Sequence, residues 1–396
     1  MQMVHSRFNA LLSACVLSLI ATASWSQPLT WLGTLGGGES RAYGVSDNGV
    51  VVGMARNAAG QWRAFRWTAA GGMQDLGTLG GSESAAYGVS ADGAVVVGWA
   101  VNAAGQWRAF RWTASDGMRD LGAGGAYGVS ADGSVVVGTS YRRAFRWQNG
   151  VMQYLLDFDL GSEAWGVSAD GSVVVGVVVY YDYAGYHYRA CRWTAAGWIQ
   201  NLGTLPGYHA SWAYGVSADS AVVVGAALNS TSLHRRAFRR TASGGMQDLG
   251  TLGGNRSEAW GVSADGAVVV GWAYNAAGQS RAFRWTASGG MEDLNTTYAS
   301  LLTNGSELRE ARAISPNGRY IVGAGYNAAT NRNEAFLLGF PRRGDVDRNG
   351  CVDDADLLAV LFAFGERGYR NEDLNWDGII DDADLLIVLF NFGSGC

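Results

Sequence analysis

Tyr43-Gly-Val-Ser-Asp47-Asn-Gly49-Val-Val-Val-Gly53 is the stretch of this 396-residue chain that decides its fold. It returns with small changes at residues 87–98, 127–138, 165–176, 214–225 and 260–271, and in a degenerate form at residues 312–323. Successive copies start 38 to 52 residues apart. A repeat of this length predicts stacked supersecondary units.

Each repeat holds four short stretches with β-strand character. The quoted phrase supplies two of them, separated by a tight turn in which Gly takes a positive φ. Arg63-Ala-Phe-Arg-Trp67 and Met73-Gln-Asp-Leu76 supply the other two and also recur. The 58 glycines and the lack of a 3.6-residue apolar period exclude helical repeats. Four strands in about 45 residues form the unit of a β-propeller blade, so seven copies predict a mainly β fold, a seven-bladed β-propeller over residues 27–340.

The two ends of the repeat region predict a closed ring. Residues 29–35 match the closing strand of a repeat, whereas the seventh repeat stops after its third strand, at residues 335–340. We therefore expect the amino-terminal strand to complete the last blade. Closure would remove the exposed sheet edge that promotes aggregation.

The phrases Gly-Val-Ser-x-Asp/Asn-Gly, Ala-Phe-x-Trp and Leu-Gly-Thr-Leu-Gly-Gly resemble the bacterial extracellular repeat family called HAF. That family is named for His-Ala-Phe, and this chain has Arg in place of the His. The substituted positions are Arg63, Arg108, Arg143, Arg189, Arg236 and Arg281. The resemblance covers about 310 residues. It implies an exported protein but no particular activity.

Recurring acidic residues in the repeats have a structural explanation. They occupy the hairpin turns, where Asp favours the turn conformation, at Asp47, Asp92, Asp132, Asp170, Asp219 and Asp265. Within Arg63-Ala-Phe-Arg-Trp67, the Phe and Trp share one face and are expected to pack between blades, with the intervening Arg stacking on neighbouring rings.

An enzyme site should break the repeat, because only one place on the ring would do the chemistry. The repeat-breaking candidates are Asp157, Asp159, Asp182, Tyr183, His187, His209, His234, Glu307 and Glu310. None forms a recognisable acid–base pair, nucleophile motif or metal triad, so no catalytic residue is predicted. Trp62 and Trp107 follow Asn-Ala-Ala-Gly-Gln in loop-like stretches, where they could stack on sugar rings or pack against the loop.

Two copies of an acidic loop near the carboxyl end predict binding of two Ca²⁺ ions. Each copy has oxygen-bearing side chains at positions 1, 3, 5, 9 and 12 and Gly at position 6, as a hard cation requires. The seventh residue would contribute its backbone carbonyl. The first loop offers Asp345, Asp347, Asn349, Cys351 (backbone), Asp353 and Asp356, and the second offers Asp373, Asn375, Asp377, Ile379 (backbone), Asp381 and Asp384.

Each loop runs into an apolar stretch, residues 357–364 and 385–392, that predicts a following helix. A calcium loop with one helix, repeated in about 50 residues and ending in Asp at position 12, resembles the type I dockerin module. The resemblance covers residues 345–396 and implies calcium-dependent docking onto a cohesin-type receptor. In that family, positions 10 and 11 help to choose the partner. They correspond here to Asp354, Ala355, Asp382 and Ala383.

Residues 1–26 predict a secretory signal peptide, because a short apolar run follows His5 and Arg7 and leads to small residues. No other apolar run is long enough to span a membrane. Export permits disulfides, and we expect a Cys351–Cys396 bridge that clasps the carboxyl-terminal module. Cys191 occupies the Phe position of a repeat, which predicts a buried thiol.

All 29 basic residues are Arg, and the formal net charge is −5. Acidic residues are concentrated on the predicted calcium loops, which argues against nucleic acid as a partner. The expected function is that of a secreted, non-catalytic binding or structural protein, with a possible glycan ligand, that its tail fastens to an extracellular or cell-surface assembly for polysaccharide breakdown. The alternative is a propeller-type glycoside hydrolase or polysaccharide lyase carried by the same tail. Two or three non-repeated carboxylates in an axial cleft would favour the enzyme, and a surface lined by repeated residues would favour binding.

Overall fold

The structure is a computed structural model that describes residues 29–156, 161–183, 185–195, 197–339, 344–346, 351–367, 372, 374 and 379–393. The chain divides into two compact units. One ends at Gly339 and contains the repeats, and the other contains the described residues from Gly344 onward. None of the helices in the described ranges has both the length and the apolar character needed to cross a membrane.

Strands in the described residues form seven antiparallel sets of four, here called units 1 to 7. Parallel bridges between Glu39 and Asn333 and between Arg235 and Arg256 join unit 7 to unit 1 and unit 5 to unit 6. Unit 1 is β2 (Gly36–Val45), β3 (Val51–Asn57), β4 (Trp62–Thr68) and β5 (Gly72–Asp75). Unit 2 is β6 (Gly80–Val89), β7 (Val96–Asn102), β8 (Trp107–Thr113) and β9 (Gly117–Ala123). Unit 3 is β10 (Gly125–Val129), β11 (Val135–Ser140), β12 (Arg143–Gln148) and β13 (Val151–Tyr154). Unit 4 is β14 (Ser162–Val167), β15 (Val173–Asp182), β16 (Gly185–Thr194) and β17 (Ile199–Gly203).

The remaining units follow the same pattern, and the last is completed from the start of the chain. Unit 5 is β18 (Ala210–Val216), β19 (Val222–Asn229), β20 (His234–Thr241) and β21 (Gly245–Asp248). Unit 6 is β22 (Gly253–Val262), β23 (Val268–Asn275), β24 (Ser280–Thr286) and β25 (Gly290–Asp293). Unit 7 is β26 (Glu307–Ile314), β27 (Tyr320–Asn327), β28 (Arg332–Gly339) and β1 (Leu29–Trp31). A short helix, α1 (Leu294–Thr297), and two 3₁₀ turns lie between units 6 and 7.

Within each unit the strands pair antiparallel in sequence order, and the first strand carries a β-bulge. In unit 2 the bulge falls between Ala86 and Gly88, and it brings the carbonyl of Ala85 close to Gly98. A Cβ atom on Gly98 would lie 2.0 Å from that carbonyl oxygen. The glycine that ends the Val-Val-Val-Gly phrase is therefore required by this close approach.

The core lies between neighbouring units. The Phe of the third strand is fully buried in six units, at Phe65, Phe110, Phe145, Phe238, Phe283 and Phe336. Apolar clusters join residues of adjacent units, such as Val52 and Ala64 of unit 1 with Phe110 and Trp112 of unit 2. Burial of the Phe and Trp face is confirmed. The intervening Arg mainly bonds to the next unit, as Arg66 does by donating to the carbonyl of Gly93 at 3.3 Å. The predicted stacking on a neighbouring ring is present at Arg239, whose guanidinium lies 5.9 Å from the ring centroid of Trp285.

Unit 7 is closed by the amino-terminal strand. Leu29, Thr30 and Trp31 pair antiparallel with Leu338, Leu337 and Phe336, as the sequence predicts. Further bonds join unit 7 to unit 1. The buried Ser40 hydroxyl accepts the backbone N–H of Ala335, and the Asn317 amide donates to the carbonyl of Asp47.

Among its described residues, the carboxyl-terminal unit has two helices of equal length, α2 (Asp354–Ala363) and α3 (Asp382–Asn391). Both start three residues earlier than the apolar stretches suggest, because Asp353 and Asp381 act as N-caps with complete capping boxes. Their buried faces form a small core with neighbouring loop residues. It consists of Val346, Val352, Val360, Ala363, Ile380 and Val388.

Candidate ligand-binding and calcium sites

Seven side chains on the first strands of the units, six of them aromatic, form a circle that is here called the collar. Its members occupy the position before the bulge glycine: Tyr43, Tyr87, Tyr127, Trp165, Tyr214, Trp260 and, in unit 7, Arg312. Tyr43 and Tyr87 have ring centroids 4.8 Å apart. The guanidinium of Arg312 lies 3.6 Å from the centroid of Trp260 and 5.5 Å from that of Tyr43. A cation therefore bridges the two aromatic side chains that flank the one non-aromatic position.

An axial pocket of about 230 Å³ lies against the collar. It is lined by the Gly-Val pairs that follow the collar in the repeats, together with Tyr43, Trp260, Arg312 and Pro316. Burial raises the pKa of Tyr43 to about 12, although Arg312 opposes the shift. The collar hydroxyl of Tyr43 is thus a neutral donor at physiological pH. Six units contribute the same Gly-Val pair to the pocket wall, and the departures from the repeat lie in unit 7, at Arg312, Ala313, Ile314 and Pro316.

On each of these strands, the residue two positions before the collar residue varies from unit to unit. Side chains two apart on a strand share a face, so these residues form a second ring. Its members are Arg41, Ala85, Gly125, Glu163, Trp212, Glu258 and Glu310. Burial raises the pKa of the Tyr214 hydroxyl, and nearby charges also affect it. Glu163 and Glu258 raise this pKa and Arg312 lowers it, so the three charged groups lie near Tyr214. Of these carboxylates, only Glu310 is among the repeat-breaking candidates predicted from the sequence. Variation at one position of an otherwise constant strand is the signal that would have found Glu163 and Glu258.

Two of the three carboxylates are held by arginines. Glu258 is buried, forms an ion pair with Arg235 and accepts the indole N–H of Trp260 at 3.1 Å. Glu310 accepts both Nε and Nη2 of Arg312, at 2.9 and 2.6 Å. These pairs fix the carboxylate oxygens and satisfy them with charged donors.

Glu163 has a different environment. Its side chain is exposed to solvent. Neighbouring strands nevertheless remove part of its hydration, which raises the pKa of the carboxyl, and the charge of Arg142 opposes this shift. Both side chains line a second cavity of about 330 Å³, here called the side pocket, in units 3 to 5. Its wall consists of Arg142, Gly161, Ser162, Glu163, Trp165, Val177, Val179, Tyr188 and Trp212. None of the repeat-breaking residues that the structure describes lies in this wall.

Those repeat-breaking residues lie in several separate places. His187 Nε2 is 2.7 Å from an oxygen of Asp182, at the end of the long β15–β16 hairpin where Tyr183 is exposed. His209 Nδ1 accepts the backbone N–H of Ser230 at 3.1 Å. Glu307 pairs with Arg281 and Arg309, each at 3.2 Å. His234 begins β20, and Asp157 and Asp159 lie outside the described residues.

The exposed tryptophans of the repeats pack locally. Trp107 lies 4.0 Å from Trp99 in a stacked arrangement, and its ring remains 58% exposed. Trp62 lies under the guanidinium of Arg56 at 4.4 Å. Both residues begin strands, β4 and β8, rather than lying in loops, and packing against residues of the neighbouring strands β3 and β7 accounts for one face of each ring.

Five of the six recurring turn aspartates have the structural role that the sequence predicts, whereas Asp47 accepts the backbone N–H of Asn317 and the Ser46 hydroxyl donates to Asn48 instead. Asp92 accepts the Ser90 hydroxyl at 2.5 Å and the backbone N–H of Ala94 at 3.0 Å. These hydrogen bonds lower the pKa of the Asp92 carboxyl. The same Ser–Asp pair recurs at Ser130–Asp132, Ser168–Asp170, Ser217–Asp219 and Ser263–Asp265.

In the carboxyl-terminal unit, the two position-12 aspartates have equivalent environments. Asp356 is fully buried and accepts the N–H groups of Val346 at 2.5 Å and Asp353 at 2.9 Å. Asp384 is also fully buried and accepts the N–H groups of Leu374 and Asp381, at 2.6 and 3.0 Å. Each carboxylate ties the start of its loop to the start of the following helix.

The other predicted calcium ligands are only partly described. Asp345 is buried with 2% exposure, and Asp353 and Asp381 accept the N–H groups of Ala355 and Ala383 as helix caps. Cys351 and Ile379 are described, whereas five predicted ligands lie outside the described residues: Asp347, Asn349, Asp373, Asn375 and Asp377. Within the described residues no group of three or more His, Cys, Asp or Glu side chains is arranged to hold a metal ion.

The predicted partner-binding residues and cysteines can be placed. Asp354, Ala355, Asp382 and Ala383 are exposed in the first turns of α2 and α3. Cys351 is disulfide-bonded, but Cys396 lies outside the described residues, so the Cys351–Cys396 pairing stays a prediction. Cys191 is buried with 1% exposure, as expected for a thiol in the Phe position.

Comparisons with known proteins give the fold. No protein-family model and no curated protein matches the chain. The β-propeller domain of the Trilobed protease from Pyrococcus furiosus aligns over 75% of this chain and 95% of that chain, with a TM-score of 0.50 and 10% identity. TolB from Acinetobacter baumannii aligns over 63% of this chain with a TM-score of 0.43 and 12% identity, and the match spans 64% of the TolB chain. Dipeptidyl peptidase 4 from Porphyromonas gingivalis aligns over 77% of this chain and 52% of that chain, with a TM-score of 0.45 and 10% identity. The predicted β-propeller is therefore confirmed for the repeat region.

Proposed function

We propose that the chain is a secreted, non-catalytic binding protein whose propeller presents a ligand surface and whose tail attaches it to an extracellular or cell-surface assembly. The observation that carries this proposal is the internal symmetry of the tail. Two ten-residue helices begin with the same capping box, bury the same Asp and expose the same apolar positions. A duplicated unit with matched exposed faces is suited to attachment rather than to catalysis.

Calcium binding by the tail follows from the chemistry of its loops. The first-loop residues Asp345, Asp347, Asn349, Asp353 and Asp356 would supply side-chain oxygens, as would Asp373, Asn375, Asp377, Asp381 and Asp384 in the second loop, with the backbone carbonyls of Cys351 and Ile379. Bound Ca²⁺ would supply positive charge to the two acidic loops.

Docking through the tail is supported by its exposed apolar residues. Phe362 is 84% exposed and its counterpart Phe390 is 83% exposed. Leu358, Leu361 and Phe364 are about half exposed, as are Leu386, Leu389 and Phe392. Exposed patches of this kind mark interaction sites. With the dockerin-like loop pattern, they favour a cohesin-type receptor as partner.

We further propose that the seven four-stranded units are the blades of a closed seven-bladed ring. Pairing of β1 with β28 and the bonds of Ser40 and Asn317 to residues near the other end of the repeat region support closure. A closed ring would hold the collar and the ring of variable residues in fixed positions.

A second candidate function is a propeller-type glycoside hydrolase or polysaccharide lyase carried by the same tail. The observation that favours it is that three units carry a carboxylate, Glu163, Glu258 or Glu310, at a first-strand position that other units fill with different residues. Against it, two of them are paired with Arg235 and Arg312, which suits binding better than proton transfer. Release of reducing ends or unsaturated products from polysaccharides would distinguish this candidate from a binding protein.

The proposed attachment is tested by capture of the full chain on an immobilised cohesin-type domain. We expect capture in calcium, loss of capture in EDTA, and loss in a variant that combines Asp345→Ala with Asp373→Ala. Asp116→Ala, which changes an exposed carboxylate of unit 2, is the matched control and should bind normally. Undiminished capture of the double variant would contradict docking through this tail.

A further inference from the structure

The side pocket lies where the repeat is broken twice in neighbouring units. In units 1, 2 and 6, the second and third strands are joined through Asn-Ala-Ala-Gly-Gln at residues 57–61, 102–106 and 275–279. Unit 3 replaces this turn by Tyr141 and Arg142 alone, and unit 4 extends β15 and β16 to ten residues each. A shortened hairpin therefore stands beside a lengthened one.

The short turn is held in a strained conformation that positions Arg142. Tyr141 and Arg142 have φ values of 51° and 63°, a left-handed pair that type I′ hairpins require and that Gly or Asn normally supplies. The carbonyl of Arg142 accepts the N–H of Ser162 at 2.8 Å, and the Ser162 hydroxyl accepts the N–H of Ala144 at 2.9 Å. These bonds tie the turn to the start of β14. Strain of this kind is often associated with functional sites.

The wall of the side pocket combines aromatic faces with one cation and one carboxylic group. Trp165, Tyr188 and Trp212 supply the rings, and the ring centroids of Tyr188 and Trp212 are 5.8 Å apart. Arg142 supplies hydrogen-bond donors and Glu163 supplies acceptors. At about 330 Å³ the cavity lies at the lower end of the range for small-molecule sites, about 300–1,000 Å³.

This chemistry fits a hydroxylated ring better than a simple ion. The C–H groups on one face of a pyranose are attracted to the negative face of an aromatic ring, and its hydroxyl groups both donate and accept hydrogen bonds. Arg142 and Glu163 carry opposite charges, so neither a uronate nor a phosphate gains a net favourable field. Apolar Val177 and Val179 complete a wall that matches an amphipathic ligand.

Tyrosines of the long hairpin continue the aromatic surface beyond the pocket. Side chains alternate between the two faces of the hairpin, so Tyr181 and Tyr186 lie on the same face as Val179 and Tyr188 of the pocket wall. All three tyrosines are exposed, and the ring centroids of Tyr181 and Tyr186 are 5.1 Å apart. The rings are therefore fixed in place before a ligand arrives, which lowers the entropic cost of binding.

We propose that the side pocket and the β15–β16 hairpin bind a neutral oligosaccharide, with one pyranose ring in the pocket and the adjoining rings along the tyrosines. The inference rests on the proposed binding function of the propeller, but not on the calcium-dependent tail. Tyr188 and Trp212 stack on the sugar, and Arg142 and Glu163 bond its hydroxyl groups.

The test is isothermal titration of the full chain with cellohexaose, xylohexaose and mannohexaose, and with trigalacturonate as the anionic comparison. At least one neutral hexasaccharide should bind. Tyr188→Ala should weaken that binding at least ten-fold, and the isosteric Glu163→Gln should weaken it about five-fold or more. Trp198→Ala, which removes an exposed ring of unit 4 next to Thr194 and outside the pocket wall, should change the affinity less than two-fold. An unchanged thermal midpoint of each variant verifies that it folds.

Three results would overturn the proposal: none of the neutral sugars binds, trigalacturonate binds more tightly than they do, or Tyr188→Ala and Glu163→Gln leave the affinity unchanged. Capture of Tyr188→Ala on the cohesin-type domain separates this failure from failure of the proposed attachment. Normal capture without sugar binding refutes the saccharide site alone, whereas sugar binding without capture refutes the attachment alone.

Discussion

The buried hydroxyl of Ser40 accepts the backbone N–H of Ala335 at 2.8 Å, across 295 positions of sequence. The equivalent bond between units 1 and 2 joins Ser84 to Ala64 at 2.9 Å, across only 20 positions. The same type of hydrogen bond therefore connects units that are adjacent in sequence and units at opposite ends of the repeat region.

Ser40→Ala should weaken the joint between units 7 and 1. Loss of the hydroxyl leaves the buried N–H of Ala335 without this acceptor, which should lower the free energy of unfolding by about 1–3 kcal/mol. Denaturant unfolding measures the loss, and hydrogen exchange of the β1 amides locates it. Ser84→Ala is the matched control, with a similar loss of stability but without faster exchange in β1. Equal exchange in the two variants would argue against a closing role for Ser40.

Acid should destabilise the propeller through its turn aspartates. Bonds from Ser hydroxyls lower the folded-state pKa of Asp92, Asp132, Asp170 and Asp219 below the ordinary value. A carboxyl with a lowered folded pKa contributes stability above its unfolded pKa of about 4, and the contribution disappears as pH falls through the folded pKa. The thermal midpoint should therefore decrease below about pH 4. Asp92→Asn combined with Asp132→Asn should flatten this dependence, and an unaltered pH profile would contradict it.

Ser220→Gly should stabilise unit 5. Ser220 has φ 63° at the turn position where the other five clear copies have Gly, and a left-handed non-Gly residue costs about 1–2 kcal/mol. Relief of this strain, less the greater backbone entropy of Gly in the unfolded chain, should raise the free energy of unfolding by about 0.5–1 kcal/mol. The reverse change, Gly318→Ser, has open space at the Cβ position and should destabilise by a similar amount. A decrease in stability on Ser220→Gly would refute the strain argument.

Calcium should stabilise the tail without affecting the propeller. If the tail binds Ca²⁺ only when folded, a thousand-fold excess over the dissociation constant should add about 4 kcal/mol to its unfolding free energy. Calorimetry in calcium and in EDTA should show one transition that moves and one that does not. Asp354→Asn, outside the predicted ligand set, is the control and should keep the shift. A tail transition that is identical in calcium and EDTA would exclude the site.

Removal of the exposed phenylalanines should reveal whether the two halves of the tail are interchangeable. Phe362→Ala or Phe390→Ala alone should change affinity for a cohesin-type domain about two-fold, because the partner can use the other face. The double variant should bind at least ten-fold more weakly, since large buried rings dominate interfaces. Surface plasmon resonance gives both values. A ten-fold loss from one single variant would show that only that half docks.

The sequence was sufficient for the propeller because its constraints are local and repeated. Gly98, Phe110 and the Asp92 turn each have a steric or hydrogen-bonding reason that recurs from unit to unit. The end-to-end pairing of β1 was also predictable, because residues 29–31 fill a strand position that is missing from the last repeat.

The candidate site was less predictable because it depends on departures from the repeat. Glu163 and Glu258 occupy a variable position within a constant strand, so a search for recurring residues passes over them. The side pocket depends on hairpin length in two units, and its ring contacts link strands of neighbouring units, as Tyr188 and Trp212 do. Local pattern cannot specify which side chains meet across units.

Pairing of β1 with β28 also constrains when the molecule can finish folding. During translation Leu29 is synthesised about 300 residues before its partner Leu338. At ordinary rates of synthesis this separation corresponds to roughly 15–60 s. During that interval the apolar side chains of Leu29 and Trp31 have no permanent place to pack. Biogenesis of this protein therefore requires that its earliest strand be kept from wrong pairings until its latest one appears.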